Sequence, residues 1–375
     1  MKLFECQNCG QPLYFENTKC ESCDAPLGYL PHEQTVTALR PAGDAIWHAM
    51  AKHGTRYRFC ANAVHDVCNW LIPAHAPDQF CIACRHNRII PNLSDAENLR
   101  RWRLIEVAKH RLFYTLLQLR LPLGGNNENA NPLIFDFLDP GAPAGAPIMT
   151  GHANGVITLN VGEADDAERE RMRGKMGELY RTLLGHFRHE IAHYYWDRLI
   201  ADSPRLEVFR QVFGDERADY ARALEAYYAN GAPADWRNHF ISAYASSHPW
   251  EDFAETWAHY FHMVDTLETA NAFGLAVRPK LSKGMTARTD FDPLHADLDR
   301  IIEAWLPLTF AVNSINRSMG VPDLYPFVLN PAVIDKLSFV HDCIREQAGR
   351  KTSPAGGMRA VIAGLRQRAG FPTTP

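Results

Sequence analysis

Long hydrophobic runs are absent from this sequence. No stretch of 18 or more apolar residues occurs, and the opening "MKLFECQNCGQPLYF" lacks the apolar segment of a secretory signal peptide. These absences argue against a membrane span. We therefore expect a soluble, cytoplasmic protein that makes no membrane contact.

An excess of one charge is also absent. The 375 residues carry a formal net charge of −4, and residues 1–92 hold eight Lys and Arg against eight Asp and Glu. Binding driven by nucleic-acid phosphates needs a basic surface, so nucleic acid is not an expected partner. With 46% hydrophobic residues, the chain is long enough for two or three domains with a sizeable core.

Cysteine is nearly missing after residue 84, where only Cys343 occurs, and we expect that residue to be a small buried apolar side chain. The other eight cysteines lie within the first 84 residues, which in a reducing compartment indicates metal rather than disulfides. The first four have the spacing C-x2-C-x10-C-x2-C. Two such pairs can close a tetrahedral thiolate site, so we predict a structural zinc on Cys6, Cys9, Cys20 and Cys23.

The second group of cysteines has a less regular spacing. Its members are Cys60, Cys68, Cys81 and Cys84, and only the last two form a C-x2-C pair. We predict a second structural zinc there, although His65, His75 or His86 could replace one cysteine. A single four-cysteine site with spare thiols is the competing arrangement. Closed sites of this kind supply folding energy rather than chemistry, so the module is expected to bind a protein partner or present a substrate.

The sequence changes near residue 93 from a cysteine-rich stretch to one with helical periodicity, and we place a domain boundary there. Ser94 followed by Glu97 has the pattern of a capping box and predicts the start of an amphipathic helix. Residues 132–139 and 155–161 are predicted strands, and helices dominate after residue 163. The sequence thus predicts an α+β protein with a cysteine-rich module over 1–92, a mostly helical domain over 93–345, and a loosely ordered tail over 346–375.

The stretch "LLGHFRHEIAHYYWDRL" contains the motif H-E-x-x-H. Its apolar residues recur at helical spacing, and on a helix His189 and His193 lie on one face, where two neutral imidazoles can bind one zinc. The carboxylate of Glu190 is then placed to take a proton from a water that attacks an amide carbonyl. His186 is expected to lie in the core or beside the ligands. The alternative is a solvated helix face that binds no metal.

A third ligand is needed, and the glycine and third histidine of the extended metzincin pattern are missing downstream. The stretch "SSHPWEDFAETWAHYFH" predicts a second helix with His248 as N-cap and Pro249 at its first position. Glu251 and Glu255 share one face of that helix. Zinc on Glu251 and a histidine N–H on Glu255 would justify two partly buried carboxylates there, whereas Asp252 is expected to face solvent.

These motifs together resemble those of the glutamate-zincins, and "WEDFAE" is similar to the E-x-F-A-E helix of lethal-factor-type zinc peptidases. The resemblance implies Glu251 as the metal ligand and Tyr244, seven residues earlier, as an oxyanion-stabilising residue; a phenol near the metal could donate to that oxyanion. The thermolysin-type pattern has Asp where this chain has Glu255. Zincins commonly hold a substrate against an edge strand upstream of the motif helix, which would be residues 155–161 here.

The layout as a whole resembles an uncharacterised bacterial family of zinc-binding metallopeptidases with an N-terminal zinc-ribbon region. It leads us to expect a zincin-like peptidase with one catalytic and two structural zincs, acting on a peptide or protein. The rival hypothesis is a non-catalytic protein that uses its zinc ribbon to bind protein or nucleic acid on a degenerate peptidase scaffold.

Overall fold

The computed structural model of the protein describes residues 2–124, 132–139, 150–176, 181–281 and 283–349. Most of the predicted tail, from residue 350, lies outside the described residues. The chain has a mixed α+β architecture, in which a cysteine-rich β region precedes mostly helical structure. It divides into two compact units within the described ranges: residues 2–172 with 182–190, and residues 173–181 with 191–349.

The described strands are short. In chain order they are β1 Phe4–Glu5, β2 Pro12–Leu13, β3 Leu27–Leu30, β4 Thr35–Pro41, β5 Trp47–Ala49, β6 Arg56–Phe59, β7 Leu71–Pro73, β8 Asn87–Ile89, β9 Ile134–Leu138, β10 Gly151–Ala153, β11 Val156–Asn160, β12 Ala276–Val277 and β13 Ala287–Arg288. The helices are α1 Ala96–Gln118, α2 Asp166–Met176, α3 Leu183–Leu199, α4 Arg205–Phe213, α5 Tyr220–Asn230, α6 Pro249–Ala272, α7 Leu298–Ser318 and α8 Pro331–Gln347.

The cysteine-rich region is built on an antiparallel sheet with the strand order β3-β4-β5-β6-β7. One face of this sheet buries a compact apolar cluster of Leu30, Leu39, Ala49, Tyr57 and Leu71. The hairpin β1-β2 precedes the sheet. Burial of these side chains, together with any bound metal, has to offset the conformational entropy of a region with so little regular structure.

Helix α1 begins one residue later than the capping-box pattern predicts. Asp95 is the N-cap, and its carboxylate accepts a hydrogen bond from the backbone N–H of Glu97 at 2.9 Å. Ser94 donates its hydroxyl proton to Asn92 instead. Ser and Asp are equally good caps, so local sequence alone does not separate two adjacent candidates.

The second sheet, with the order β10-β11-β9-β8, corrects the expectation for residues 155–161. These residues form a strand as predicted, but β11 pairs in parallel with β9 on one side and antiparallel with β10 on the other. An interior strand has no free ladder for a peptide, and the edge strands of this sheet among the described residues are β10 and β8. The predicted strand at 132–139 is confirmed as β9, whose Phe135 and Phe137 pack against Phe187 of α3.

In the second unit, α6 packs against α7 and α8. His248 and Pro249 are the N-cap and first residue of α6, as predicted. The expectation for Asp252 was wrong: this residue is buried, and its carboxylate lies 2.6 Å from Lys336 Nζ of α8. Among the residues that the structure describes, none of the helices is long and apolar enough to span a membrane.

Candidate metal centres

Helix α3 carries the H-E-x-x-H motif, as predicted. Leu183, Phe187, Ile191 and Tyr195 recur every four residues along it, and all four are buried. This apolar stripe fixes the rotation of the helix, because burying it determines which face every other residue occupies. His189 and His193 then lie one turn apart, with His189 partly exposed and His193 buried.

Helix α6 supplies the carboxylate. The His248 side chain caps the helix by accepting a hydrogen bond from the backbone N–H of Trp250 at 3.1 Å, while its other ring nitrogen lies 3.0 Å from the carbonyl of Ala218. Glu251 falls in the first turn, where the helix dipole favours an ionised carboxylate. Its side chain is 1% exposed, so this ionised form needs a nearby partner.

The two helices bring His189, His193 and Glu251 together. One ligand atom from each lies within 4.8 Å of the other two, and His193 Nε2 is 3.6 Å from Glu251 Oε1. Ligand atoms on one tetrahedral zinc are about 3.3 to 3.8 Å apart. Two imidazoles and one buried carboxylate are also the donor types of catalytic zinc sites, so these three residues fit a zinc ion.

Tyr220, the first residue of α5, belongs to this site and was missed in the sequence. Its hydroxyl donates to Glu251 Oε1 at 2.7 Å, and the residue is 39% exposed. The hydroxyl therefore reaches the same carboxylate oxygen that faces His193. Tyr220 lies 31 positions before Glu251 with no motif around it, so the sequence contains no local signal for this contact.

Tyr244 lies in a short 3-10 helix before α6, with its ring edge-on to that of Tyr227 at 5.7 Å. Its assignment to an oxyanion stays a prediction. Glu255 accepts a hydrogen bond from the Ser242 hydroxyl at 2.6 Å, and its predicted pairing with a histidine also stays a prediction. His186 lies outside the three-residue group and pairs through Nδ1 with Glu163 at 2.6 Å.

The first cysteine site has the geometry of a paired knuckle. Sγ of Cys6 and Cys23 are 3.7 Å apart, and Sγ of Cys9 and Cys20 are 3.6 Å apart. All four sulfurs lie within 4.8 Å of one another. Four residues after the first cysteine of each pair, Gly10 and Asp24 adopt positive φ and donate an N–H back to that cysteine's carbonyl. These tight turns aim both thiols of each pair at one point.

The second cysteine site is separate from the first, so the alternative of one interleaved site is excluded. Cys60, Cys68, Cys81 and Cys84 are all buried and grouped within 4.8 Å, with Sγ of Cys68 and Cys81 3.7 Å apart. His65, His75 and His86 are not part of this group as described. Instead, His110 of α1 directs Nε2 at three of the sulfurs, an approach that the cysteine spacing alone did not indicate.

Two four-cysteine sites and one site of two imidazoles and a carboxylate indicate a zinc-binding protein. The family described as "Putative zinc-binding metallo-peptidase" matches residues 98–343, and a zinc-ribbon domain matches residues 3–95. The chain belongs to that metallopeptidase family.

Relatives of similar length match nearly the whole chain. Uncharacterized proteins of Mycobacterium bovis and of two Mycobacterium tuberculosis strains, CDC 1551 and H37Rv, are each 41% identical to this chain over 363 residues. The match covers 96% of this chain and 100% of each relative. No solved structure matches the chain.

Proposed function

We propose that this protein hydrolyses peptide bonds with zinc held by His189, His193 and Glu251 and with Glu190 as the general base. The observation that carries the proposal is the convergence of these three ligand atoms within 4.8 Å on two helices far apart in the sequence. A solvated helix face would not bring a buried carboxylate of α6 to the two imidazoles of α3.

When bound, zinc would polarise a peptide carbonyl and make water a stronger acid. The remaining roles fall to the chain. His193 and Glu251 are buried and held by their helices, so the ligand set is preorganised. Glu190, which follows His189 on α3, accepts the proton of the attacking water and delivers it to the leaving amine.

Two tyrosines are candidates for the hydroxyl that stabilises the developing oxyanion. Tyr244 is supported by its spacing from Glu251, whereas Tyr220 is supported by its 2.7 Å hydrogen bond to that ligand. A hydroxyl in contact with a ligand atom lies within reach of an oxygen that the bound metal would polarise. We therefore propose Tyr220 as the nearer donor and Tyr244 as the alternative.

The test compares Glu190→Gln with the unaltered protein for zinc content and for cleavage of unfolded casein and a mixed peptide library. We expect cleavage to fall about 10²- to 10⁴-fold, the usual contribution of a general base, with zinc content unchanged. The exposed Glu207→Gln serves as the matched control and should leave both measurements unchanged. Equal activity in Glu190→Gln and the unaltered protein, or no cleavage by either, would favour the non-catalytic binding protein.

A further inference from the structure

The second cysteine site has a fifth donor. His110 lies on α1 and is buried, and its Nε2 is 3.4 Å from Cys68 Sγ, 3.6 Å from Cys84 Sγ and 4.0 Å from Cys81 Sγ. These three sulfurs come from the loop after β6 and from the C-x2-C pair, so one imidazole faces a triangle of thiols assembled from two chain segments.

The other ring nitrogen identifies the tautomer. His110 Nδ1 lies 2.7 Å from the backbone carbonyl oxygen of Glu106, one helical turn earlier. A carbonyl can only accept a hydrogen bond, so Nδ1 carries the proton. In the neutral imidazole the lone pair is then on Nε2, which points at the sulfurs. Fixing a ligating histidine through its second nitrogen is how proteins orient metal-binding imidazoles.

The spacing fits a metal-centred tetrahedron. With Zn–S near 2.3 Å and Zn–N near 2.0 Å, two sulfurs on one zinc lie about 3.8 Å apart, and a nitrogen and a sulfur about 3.5 Å apart. Cys68 Sγ and Cys81 Sγ are 3.7 Å apart, and the nitrogen–sulfur distances to Cys68 and Cys84 match the second value, whereas the distance to Cys81 is 4.0 Å. His110 thus lies over the face formed by Cys68, Cys81 and Cys84, and Cys60 also lies within 4.8 Å of those three sulfurs.

Charge favours the imidazole over a fourth thiolate. Zinc with four thiolates carries a net charge of −2, whereas three thiolates and a neutral imidazole leave −1, and a buried site disfavours the larger charge. The buried ions next to the site do not neutralise it, because Glu106 Oε1 pairs with Lys109 at 2.8 Å and Glu106 Oε2 lies 3.8 Å from Cys84 Sγ.

We propose that His110 is a zinc ligand of the second site, together with Cys68, Cys81 and Cys84, and that Cys60 is the exchangeable fifth donor. The ion then links the cysteine-rich region to α1 through a direct bond. The site is a three-sulfur, one-nitrogen centre rather than the four-cysteine cage that its spacing predicts.

The experiment replaces zinc by ¹¹³Cd in the full-length protein and records ¹¹³Cd NMR, because the cadmium shift moves upfield when nitrogen replaces sulfur. We expect the first site to resonate in the four-sulfur range and the second site upfield of it. In protein labelled with ¹⁵N-histidine, Nε2 of His110 should show scalar coupling to ¹¹³Cd. This coupling is measured in the unaltered chain, so it shows whether His110 binds the metal even if a variant fails to fold.

Variants test which residues bind the metal in the second site. In Cys60→Ser the second resonance should keep its position, whereas in His110→Gln it should move downfield as Cys60 completes a four-sulfur site. The matched control is His86→Gln, at a partly buried histidine of the same unit whose Nδ1 donates to the Leu133 carbonyl at 2.8 Å, and both resonances should stay in place. Two four-sulfur resonances without coupling to His110 in the unaltered protein would overturn the proposal.

Discussion

At the scale of single residues, the contact between Tyr220 and Glu251 is the feature most open to test. In Tyr220→Phe, the ring and its packing on His248 are kept while the hydroxyl that donates to the ligand carboxylate is lost. We expect a 10- to 100-fold loss of activity or zinc affinity, the usual effect of removing a hydrogen bond to a metal ligand.

Tyr244→Phe is the matched comparison for that prediction. If Tyr220 donates to the oxyanion, kcat falls in Tyr220→Phe more than in Tyr244→Phe, with KM little changed in either. Measured zinc affinity separates a ligand-orienting role, which moves affinity, from an oxyanion role, which moves kcat alone. A larger kcat loss in Tyr244→Phe would assign the oxyanion role to Tyr244.

A second residue-scale prediction concerns pH. Burial lowers the pKa of His341 to about 4, and its Nδ1 lies 2.9 Å from the Tyr260 hydroxyl. The unfolded state therefore binds more protons than the folded state between about pH 6.5 and 4. Stability from this histidine is complete above that window and is lost as pH falls through it, by about 3 kcal/mol in total.

The variant His341→Gln, which keeps a hydrogen-bond acceptor for Tyr260, should flatten the dependence of unfolding free energy on pH below 6.5. Urea unfolding at several pH values measures this slope, and the exposed His239→Gln is the control. Burial raises the pKa of Asp252 to about 7, which gives a slope of opposite sign, but this contribution is common to all three proteins. Parallel curves for His341→Gln and the unaltered protein would contradict the prediction.

At the scale of elements, the buried ion pair between Asp252 of α6 and Lys336 of α8 joins the helix that carries Glu251 to its neighbour. Lys336 also donates to the His239 carbonyl at 2.7 Å and lies over the ring of Phe240. In Lys336→Met, the carboxyl of Asp252 loses its buried partner, and we expect a destabilisation of about 3 to 5 kcal/mol above pH 7, where this carboxyl is ionised.

Denaturant unfolding measures that loss, and the double variant Asp252→Asn with Lys336→Met should recover part of it because no buried charge is left alone. Lys52→Met, at a half-exposed lysine that pairs with Glu33, is the control and should shift stability by less than about 1 kcal/mol. A Lys336→Met protein as stable as this control would show that the pair contributes little to docking α6 on α8.

At the scale of the whole molecule, the metal content is the simplest prediction. We expect three zincs per chain, two on the cysteine sites and one on the imidazole–carboxylate site. In His189→Ala the content should fall to two with little change in the thermal midpoint, because a site with only two protein ligands left binds zinc weakly and α3 is held by its buried stripe. Elemental analysis measures the zinc content, and a thermal melt measures the midpoint.

Removal of all zinc by a chelator should change the folded structure, unlike the loss of one zinc in His189→Ala. The cysteine-rich region has short strands and a small core, so its metal sites supply folding energy outright. We expect hydrogen exchange over residues 2–92 to speed up on chelation while α6 and α8 stay protected. Equal loss of protection throughout the described chain would show that the two units unfold together.

Local patterns in the sequence were sufficient for several elements of this protein. Helix α3 follows from an apolar stripe repeated every four residues, the start of α6 follows from the order His248, Pro249, and the paired knuckles follow from cysteine spacing. In each case the residues that determine the local structure lie within a few positions of one another. The geometry of a helix or turn then relates their spacing to the direction of their side chains.

Tertiary structure decided the rest. The contact of Tyr220 with Glu251, the approach of His110 to three cysteines, the burial of Asp252 on Lys336 and the interior place of β11 all join residues that no motif links. Each depends on which elements pack together and in what register, and those choices minimise buried unpaired charge and exposed apolar surface over many residues at once. A local pattern limits the direction in which a side chain points, but only the packed fold determines what it meets there.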